Sequence, residues 1–321
     1  MESTLIPLAS FKEQFTFVPE IKNKEVLSSH THVIISGMGG SAISVSLLKL
    51  LFPELPITLH NTYGLPPMVD KENTLIIVNS YSGNTEEELD VFERARKEGI
   101  DVAVISLGGT LIERVISEGG AYVQLPESSL EPRFSIGHQI IGLLTLMNET
   151  EKIEMLRKRI KLLNLPKLEM EGRTLAEKFT GKCPIIYASA NLYPVAYLIK
   201  AAINEGAKVP SFVSCTPEAN HNELQSFVTD DTTNTSSTFG FLLITSTFDH
   251  LRILKRFSIM NTLYKERGFV VETIVSNHTD ILSIFEVILT GYYMATYMAL
   301  AKNIDPYKTP FIAEFKKKLT E

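Results

Sequence analysis

The run His32-Val33-Ile34-Ile35-Ser36-Gly37-Met38-Gly39-Gly40-Ser41-Ala42 reads as a short strand, a glycine turn and the opening of a helix. The strand shows no alternation of apolar and polar residues, which is the signature of a strand buried on both faces in a parallel sheet. The same grammar recurs at Thr74–Asn79 (TLIIVN), Asp101–Leu107 (DVAVISL) and Tyr122–Leu125, with Ile57–Leu59 as a further strand. Helix-length segments separate these runs, so the order is βα repeated and the sheet is parallel. After Thr150 the chain changes to EKIEMLRKRIKLLNLPKLEMEG, in which Ile153, Leu156, Ile160 and Leu163 recur at helical spacing among charges. A domain junction is expected there, giving residues 1–150 and 151–321. The second half repeats the theme, with strands at Pro184–Ala190, Phe241–Thr245 and Phe269–Val275 and helices at Val195–Asn204 and Ile253–Arg267. Two similar α/β domains in tandem are therefore expected. Thr229–Thr238 (TDDTTNTSST) lacks an apolar stripe and reads as a surface loop.

Composition sets the class. The chain has 321 residues, of which 44% are hydrophobic and 21% charged, enough for two domains with a core each. A net charge of -6 and a pI of about 5.7 supply no basic field for nucleic acid or an anionic membrane. Cys183 and Cys215 form no CxxC or Cys/His pattern, so neither a disulfide framework nor a zinc site is expected and a cytoplasmic setting fits. The N-terminus, MESTLIPLASFKEQF, does not read as a signal peptide. The most apolar run, Val287–Ala301, is fifteen residues long and suits a buried helix better than a membrane span.

Two loops carry the first chemistry. Gly37, Gly39 and Gly40 let backbone N–H groups approach an anion, the helix start adds unpaired donors and a positive dipole end, and Ser41 adds a hydroxyl. The spacing GxGGS is neither the GxGxxG of dinucleotide folds nor a P-loop with its lysine. Asn79-Ser80-Tyr81-Ser82-Gly83-Asn84-Thr85 again stands between a strand and a helix, and Ser80, Ser82 and Thr85 can each donate to a phosphate oxygen. A helix cap needs one such side chain and not three. Both loops fall at carboxyl ends of strands, where open α/β sheets bind ligands, so they are expected to converge on one phosphate. Further on, Glu205 and His221 lie sixteen positions apart in INEGAK and TPEANHNE. A carboxylate and an imidazole could share a proton shuttle on a sugar; a solvated helix face and a polar turn would serve equally well.

GMGGSA, NSYSGNTEEE, EPRFSIG, INEGAK and PEANHNE, in this order, resemble the archaeal-type bifunctional phosphoglucose/phosphomannose isomerases. The resemblance runs from about Gly37 to the C-terminus. It implies two sugar-isomerase (SIS) domains, each a mainly parallel sheet flanked by helices. It further implies a homodimeric aldose-ketose isomerase without metal or cofactor, acting on hexose 6-phosphates through a cis-enediol. Carried over by position, Gly40, Ser41, Ser80, Ser82 and Thr85 bind the phosphate. Glu205 moves the proton between C2 and C1, and His221, given across the dimer interface, assists ring opening. Arg133 stabilises charge on the enediolate oxygen, a role suited to a group that keeps its proton. Thr309 leaves room for the mannose epimer and Lys316 lines the site.

The chain departs from that pattern at Gly206, where asparagine is common, and at Ser214-Cys215-Thr216 before Pro217-Glu218. Glycine inside a helix costs about 1 kcal/mol relative to alanine, which places Glu205 near a helix end. Glu218 and Glu223 read as carboxylates that organise the turn around His221. His30, His32, His60, His138, His250 and His278 share no metal-ligand spacing and read as structural. Two other readings stay open: a sugar-phosphate-binding SIS protein without catalysis, and an amino-sugar phosphate isomerase.

Overall fold

The computed structural model describes residues 2–67, 70–127, 130–228 and 235–319. They form two compact units, Ala9–Leu162 and Leu163–Glu321, the second joined by the segment ending at Leu8, which carries most of α1 (Glu2–Ala9).

In the Ala9–Leu162 unit the strands are β1 (Ile21–Lys22), β2 (His32–Ser36), β3 (Ile57–His60), β4 (Thr74–Asn79), β5 (Asp101–Ser106) and β6 (Ala121–Gln124). The helices are α2 (Gly40–Leu51), α3 (Glu86–Lys97), α4 (Gly109–Ser117), α5 (Ile136–Leu146) and α6 (Thr150–Ile160). The sheet runs β1-β6-β5-β4-β2-β3, parallel throughout except for the antiparallel β1–β6 pair. β4 is central and every residue in it is buried. On one face Ile34, Ile76, Val78, Val102 and Val104 pack against Val91 and Phe92 of α3 and Leu111 and Val115 of α4. On another, Gly142 lets α5 lie against Ile105 and Val123. The domain end comes later than Thr150 because α6 turns Ile153, Leu156 and Ile160 inward. Arg157 of α6 also donates to Phe15 O at 3.0 Å and Phe17 O at 2.7 Å.

In the other unit the elements are α7 (Leu165–Lys178), β7 (Cys183–Ser189), α8 (Tyr193–Ala202), β8 (Phe212–Thr216), α9 (Thr235–Thr238), β9 (Phe239–Ser246), α10 (Leu251–Glu266), β10 (Val270–Ser276), α11 (Ile281–Leu300) and α12 (Pro310–Leu319). The sheet is parallel, in the order β10-β9-β7-β8. β8 is a strand that the residue pattern does not announce. As an edge strand, only its last residue is fully buried, so FVSCT carries no continuous apolar run. Tyr187, Phe241, Tyr264 and Phe269 fill the core, with the Phe241 and Tyr264 rings stacked 3.7 Å apart. The apolar run near the end belongs to α11, which is 20 residues long and by length and composition could cross a membrane. Its side chains from Ile284 to Ala299 are largely buried in this unit. Gly172 of α7 and Gly291 of α11 leave no room for a Cβ against Tyr293 and Ile199, so the three helices pack backbone-close. Of the polar stretch Thr229–Thr238, Thr229–Asn234 lie outside the described residues; the rest forms the single turn α9.

Candidate active site

The chain leaves β2 through α2 toward β3 on one side, and leaves β4 through α3 toward β5 on the other. β2 and β4 are neighbours, so a crevice opens between their carboxyl ends, the position where open α/β sheets take ligands. Both hydroxyl loops line it. The α2 N-cap is Gly39 and the α3 N-cap is Thr85, and neither side chain caps its helix. Ser41 N and Ala42 N in the first turn of α2 donate to Met38 O, at 3.0 and 3.4 Å, so an anion at that helix start meets the Gly40 amide and the Ser41 hydroxyl. α2 has no acidic residue in its first turn, whereas α3 has Glu86, Glu87 and Glu88, which already complement its dipole.

The loops touch. Tyr81 N donates to Ser41 Oγ at 3.3 Å, which leaves the Ser41 hydroxyl hydrogen to point elsewhere. Ser80 Oγ and Thr85 Oγ1 are 3.0 Å apart, and Ser82 Oγ accepts from Asn84 N at 3.3 Å. Ser41 and Ser80 are buried, Gly40 and Thr85 are half-buried and Ser82 is exposed. A third segment closes on this group. The turn Pro132–Phe134 packs against Gly40 so tightly that a Cβ there would lie 3.0 Å from Arg133 N. The Arg133 side chain is 4% exposed, lies 4.8 Å over the Phe134 ring and comes within 3.9 Å of a Glu131 carboxylate oxygen. The unit therefore gathers Gly40, Ser41, Ser80, Ser82, Thr85 and Arg133.

Glu205, His221, Thr309 and Lys316 belong to the other unit. α8 continues into a π turn, Ile203–Ala207, that carries Glu205, half-buried, and ends at Lys208 in the left-handed conformation with φ 52°. Such turns insert one extra residue and recur at functional sites. Lys208 Nζ donates to Glu205 O, to Gly206 O at 3.2 Å and to Asp305 O at 3.2 Å, gathering the carbonyls at the helix end. Asn204 Oδ1 accepts from Ser211 N at 2.8 Å and fixes the exit into β8. Glu205 faces a cavity of about 500 Å³ lined also by Phe212, Thr309, Pro310, Phe311 and Ile312. Lys316 lies exposed on α12 and is not among the cavity's lining residues.

His221 is exposed and ends a short turn, Glu218–His221, just past the far end of β8. Glu223 anchors that region: Tyr187 Oη donates to its Oε2 at 2.9 Å and Ser214 Oγ donates to its Oε1. Burial drives the Tyr187 hydroxyl pKa upward, so it remains a donor. Asn220 takes a bond from Arg256 at 3.3 Å. Glu223 thus acts as the organising carboxylate expected of it, with Asn220 beside it, while Glu218 is exposed and makes no such bond among those described. Within one chain Glu205 and His221 stand at opposite ends of β8, about 15 Å of strand apart. They do not meet there. Lys208 lies in the INEGAK motif, but its part in gathering the helix-end carbonyls carries no sequence signal, since a single amine shows its partners only after folding.

The family described as the bacterial phospho-glucose isomerase C-terminal SIS domain matches residues 168–319. Among solved structures, the C-terminal domain of glucosamine-fructose-6-phosphate aminotransferase from Francisella tularensis has the same fold. Its TM-score is 0.66 at 15% identity, over 95% of this chain and 98% of that one. A D-glucosamine-6-phosphate 4-epimerase of Sulfolobus acidocaldarius is 35% identical over 213 residues, 65% of this chain and 66% of its own. A bifunctional phosphoglucose/phosphomannose isomerase of Caldicellulosiruptor bescii is 32% identical over 307 residues, 90% of this chain and 89% of its own. A likeness of that extent reaches into both units, and by it the chain belongs to the bifunctional phosphoglucose/phosphomannose isomerase family.

Proposed function

We propose that the protein interconverts glucose 6-phosphate, and mannose 6-phosphate, with fructose 6-phosphate. The observation that carries this reading is the pair of hydroxyl loops meeting at the β2/β4 crevice in a chain whose near full-length relative is an isomerase of both sugars. The phosphate sits on the Gly40 amide at the start of α2 and on the hydroxyls of Ser41, Ser80, Ser82 and Thr85, a neutral seat that suits a chain of net charge -6. Glu205 takes the C2 proton and returns it to C1, and Arg133 stabilises the enediolate oxygen. His221 moves a proton between the ring oxygen and the O1 hydroxyl. The separation of Glu205 and His221 along β8 supports a homodimer in which His221 serves the partner's site. Thr309, which lines the same cavity as Glu205, borders the sugar, whereas no observation supports a role for Lys316, exposed on α12 and outside that lining. Free Cys183 and Cys215, their pKa values raised by burial, agree with a reducing cytoplasm.

One relative favours a second reading, epimerisation of an amino-sugar phosphate at C4. The purified protein should be incubated with glucose 6-phosphate, mannose 6-phosphate and glucosamine 6-phosphate, with products resolved by NMR. Fructose 6-phosphate from both aldoses carries the proposal. Conversion of glucosamine 6-phosphate alone replaces it with the epimerase. If none is turned over but the sugar phosphates raise the unfolding temperature, the protein is a binding module.

A further inference from the structure

The two carbonyls that flank Arg133 in sequence are each held by a buried glutamine. Pro132 O accepts from Gln139 Nε2 at 3.1 Å, and Phe134 O accepts from Gln14 Nε2 at 2.7 Å. Gln139 is fully buried and Gln14 is 2% exposed. Each amide oxygen is used as well. Gln14 Oε1 accepts from Gly137 N at 2.9 Å; Gln139 Oε1 accepts from Asn79 Nδ2 at 3.3 Å and lies 3.4 Å from Ser44 Oγ. Asn79 and Ser44 in turn donate to Ser41 O, at 3.3 and 2.7 Å. Gln139 therefore touches the Arg133 turn on one side and residues of both hydroxyl loops on the other.

A primary amide in the apolar helix IGHQIIGLLTL costs free energy to bury unless its groups are bonded. Leucine or methionine would fill the same space without that cost. What the amide adds is a fixed geometry among three segments, each of which carries a proposed ligand of the substrate. We propose that Gln139 and Gln14 are positioning residues of the isomerase, clamping the backbone on both sides of Arg133 so that its guanidinium is held in register with the phosphate seat. The inference rests on the role given to Arg133 above. The close approach of Gly40 to Pro132 and Arg133 belongs to the same device, since it lets the phosphate helix and the clamped turn meet backbone to backbone.

The test compares Gln14→Met, Gln139→Met, Arg133→Gln and the double variants Arg133→Gln/Gln14→Met and Arg133→Gln/Gln139→Met in steady-state assays with glucose 6-phosphate. Inhibition by inorganic phosphate reports the phosphate seat, and thermal melts report folding. Misplacing a catalytic group by about 1 Å can cost about 10²-fold, so each Gln→Met change should lower kcat by about 10- to 100-fold. Gln14→Met should leave phosphate inhibition unchanged, because the hydrogen bonds of Gln14 go to Phe134 O and to Gly137 N of α5 and to neither hydroxyl loop. Each double variant should be no slower than Arg133→Gln alone, as expected of residues that act through one group. If Arg133→Gln keeps full kcat, the reading of Arg133 fails. If Arg133→Gln is slow but the folded Gln→Met variants keep kcat, or if the losses multiply in the doubles, the clamp is overturned while that reading stands. Should Gln139→Met fail to fold, the Gln14 pair decides by the same criteria.

Discussion

Glu205 is set in a π turn whose last carbonyls are gathered by Lys208, so its backbone is fixed while its carboxylate faces the cavity. Glu205→Gln keeps the shape and removes the base. It should lower kcat by about 10²- to 10⁴-fold and leave inhibition by inorganic phosphate unchanged; near-normal exchange of the C2 proton with solvent would remove Glu205 from its role. The neighbouring Gly206 has a negative φ and room for a Cβ, which would meet Pro306 O at 3.7 Å and Ala295 Cβ at 3.9 Å. Gly206→Ala should therefore stabilise the fold by about 0.4–1 kcal/mol, chiefly by restricting the unfolded chain, seen as a higher melting temperature. His138, next to Gln139, lies against Ser135 Oγ at 3.3 Å and the Phe17 ring, and burial lowers its pKa from 6.5 to about 4. Between those values the unfolded chain takes up a proton that the folded one refuses. Stability is thus undiminished by this group above pH 6.5, falls as pH drops through the window and levels off below about 4. The urea midpoint of His138→Phe should decline less than that of the wild type between pH 7 and 4.5; parallel declines would assign the effect to other groups.

At the scale of elements, the loop after β4 depends on one backbone conformation. Gly83 has φ 70°, and a Cβ there would overlap Gly108 O at 1.8 Å. Both partners are backbone, so neither can move aside without shifting the loop and the α4 start, where Leu111 N donates to Gly83 O at 2.9 Å. Gly83→Ala should destabilise the unit by about 1–3 kcal/mol or more and raise the phosphate inhibition constant at least about tenfold. Ser82→Ala, at an exposed hydroxyl, should weaken phosphate inhibition without lowering the melting temperature. An equal melting temperature for Gly83→Ala would show that the overlap is relieved at no cost. The loops were legible in the sequence because their strands are buried on both faces and announce themselves as Val/Ile runs, which locates the glycine and hydroxyl segments at strand ends. β8 was not legible: an edge strand half open to solvent needs no apolar periodicity, and FVSCT has none. Gln139 was invisible for a different reason. Two of its partners, Asn79 and Ser44, come from segments far away in the chain, and only the folded sheet brings them to the amide that also holds the nearby Pro132 O.

For the whole molecule, the decisive fact is that β8 separates the proposed base from the proposed ring-opening group. Phe212 at its start is 57% exposed, and Tyr193 and Tyr197 of α8 and Phe311 and Phe315 of α12 are exposed as well. An active site that takes Glu205 from one copy and His221 from another makes a prediction that a single-chain site does not. Glu205→Gln and His221→Ala should each be nearly inactive alone. In a dimer of one variant with the other, one site receives both defects and the second receives neither. Mixing the two proteins in equal amounts under conditions that exchange subunits gives hybrids as half of the dimers, each with one intact site. About one quarter of wild-type activity should then return, as two-fold symmetry requires. Recovery must depend on exchange, so chemical cross-linking of each variant before mixing should abolish it. If activity does not return although hybrid dimers are detected by mass, Glu205 and His221 work within one chain or His221→Ala loses activity for a reason other than ring opening. Measuring ring opening separately, by exchange between the sugar's anomers, then distinguishes those two: anomer exchange that survives in His221→Ala removes His221, whereas its loss places both groups in one chain.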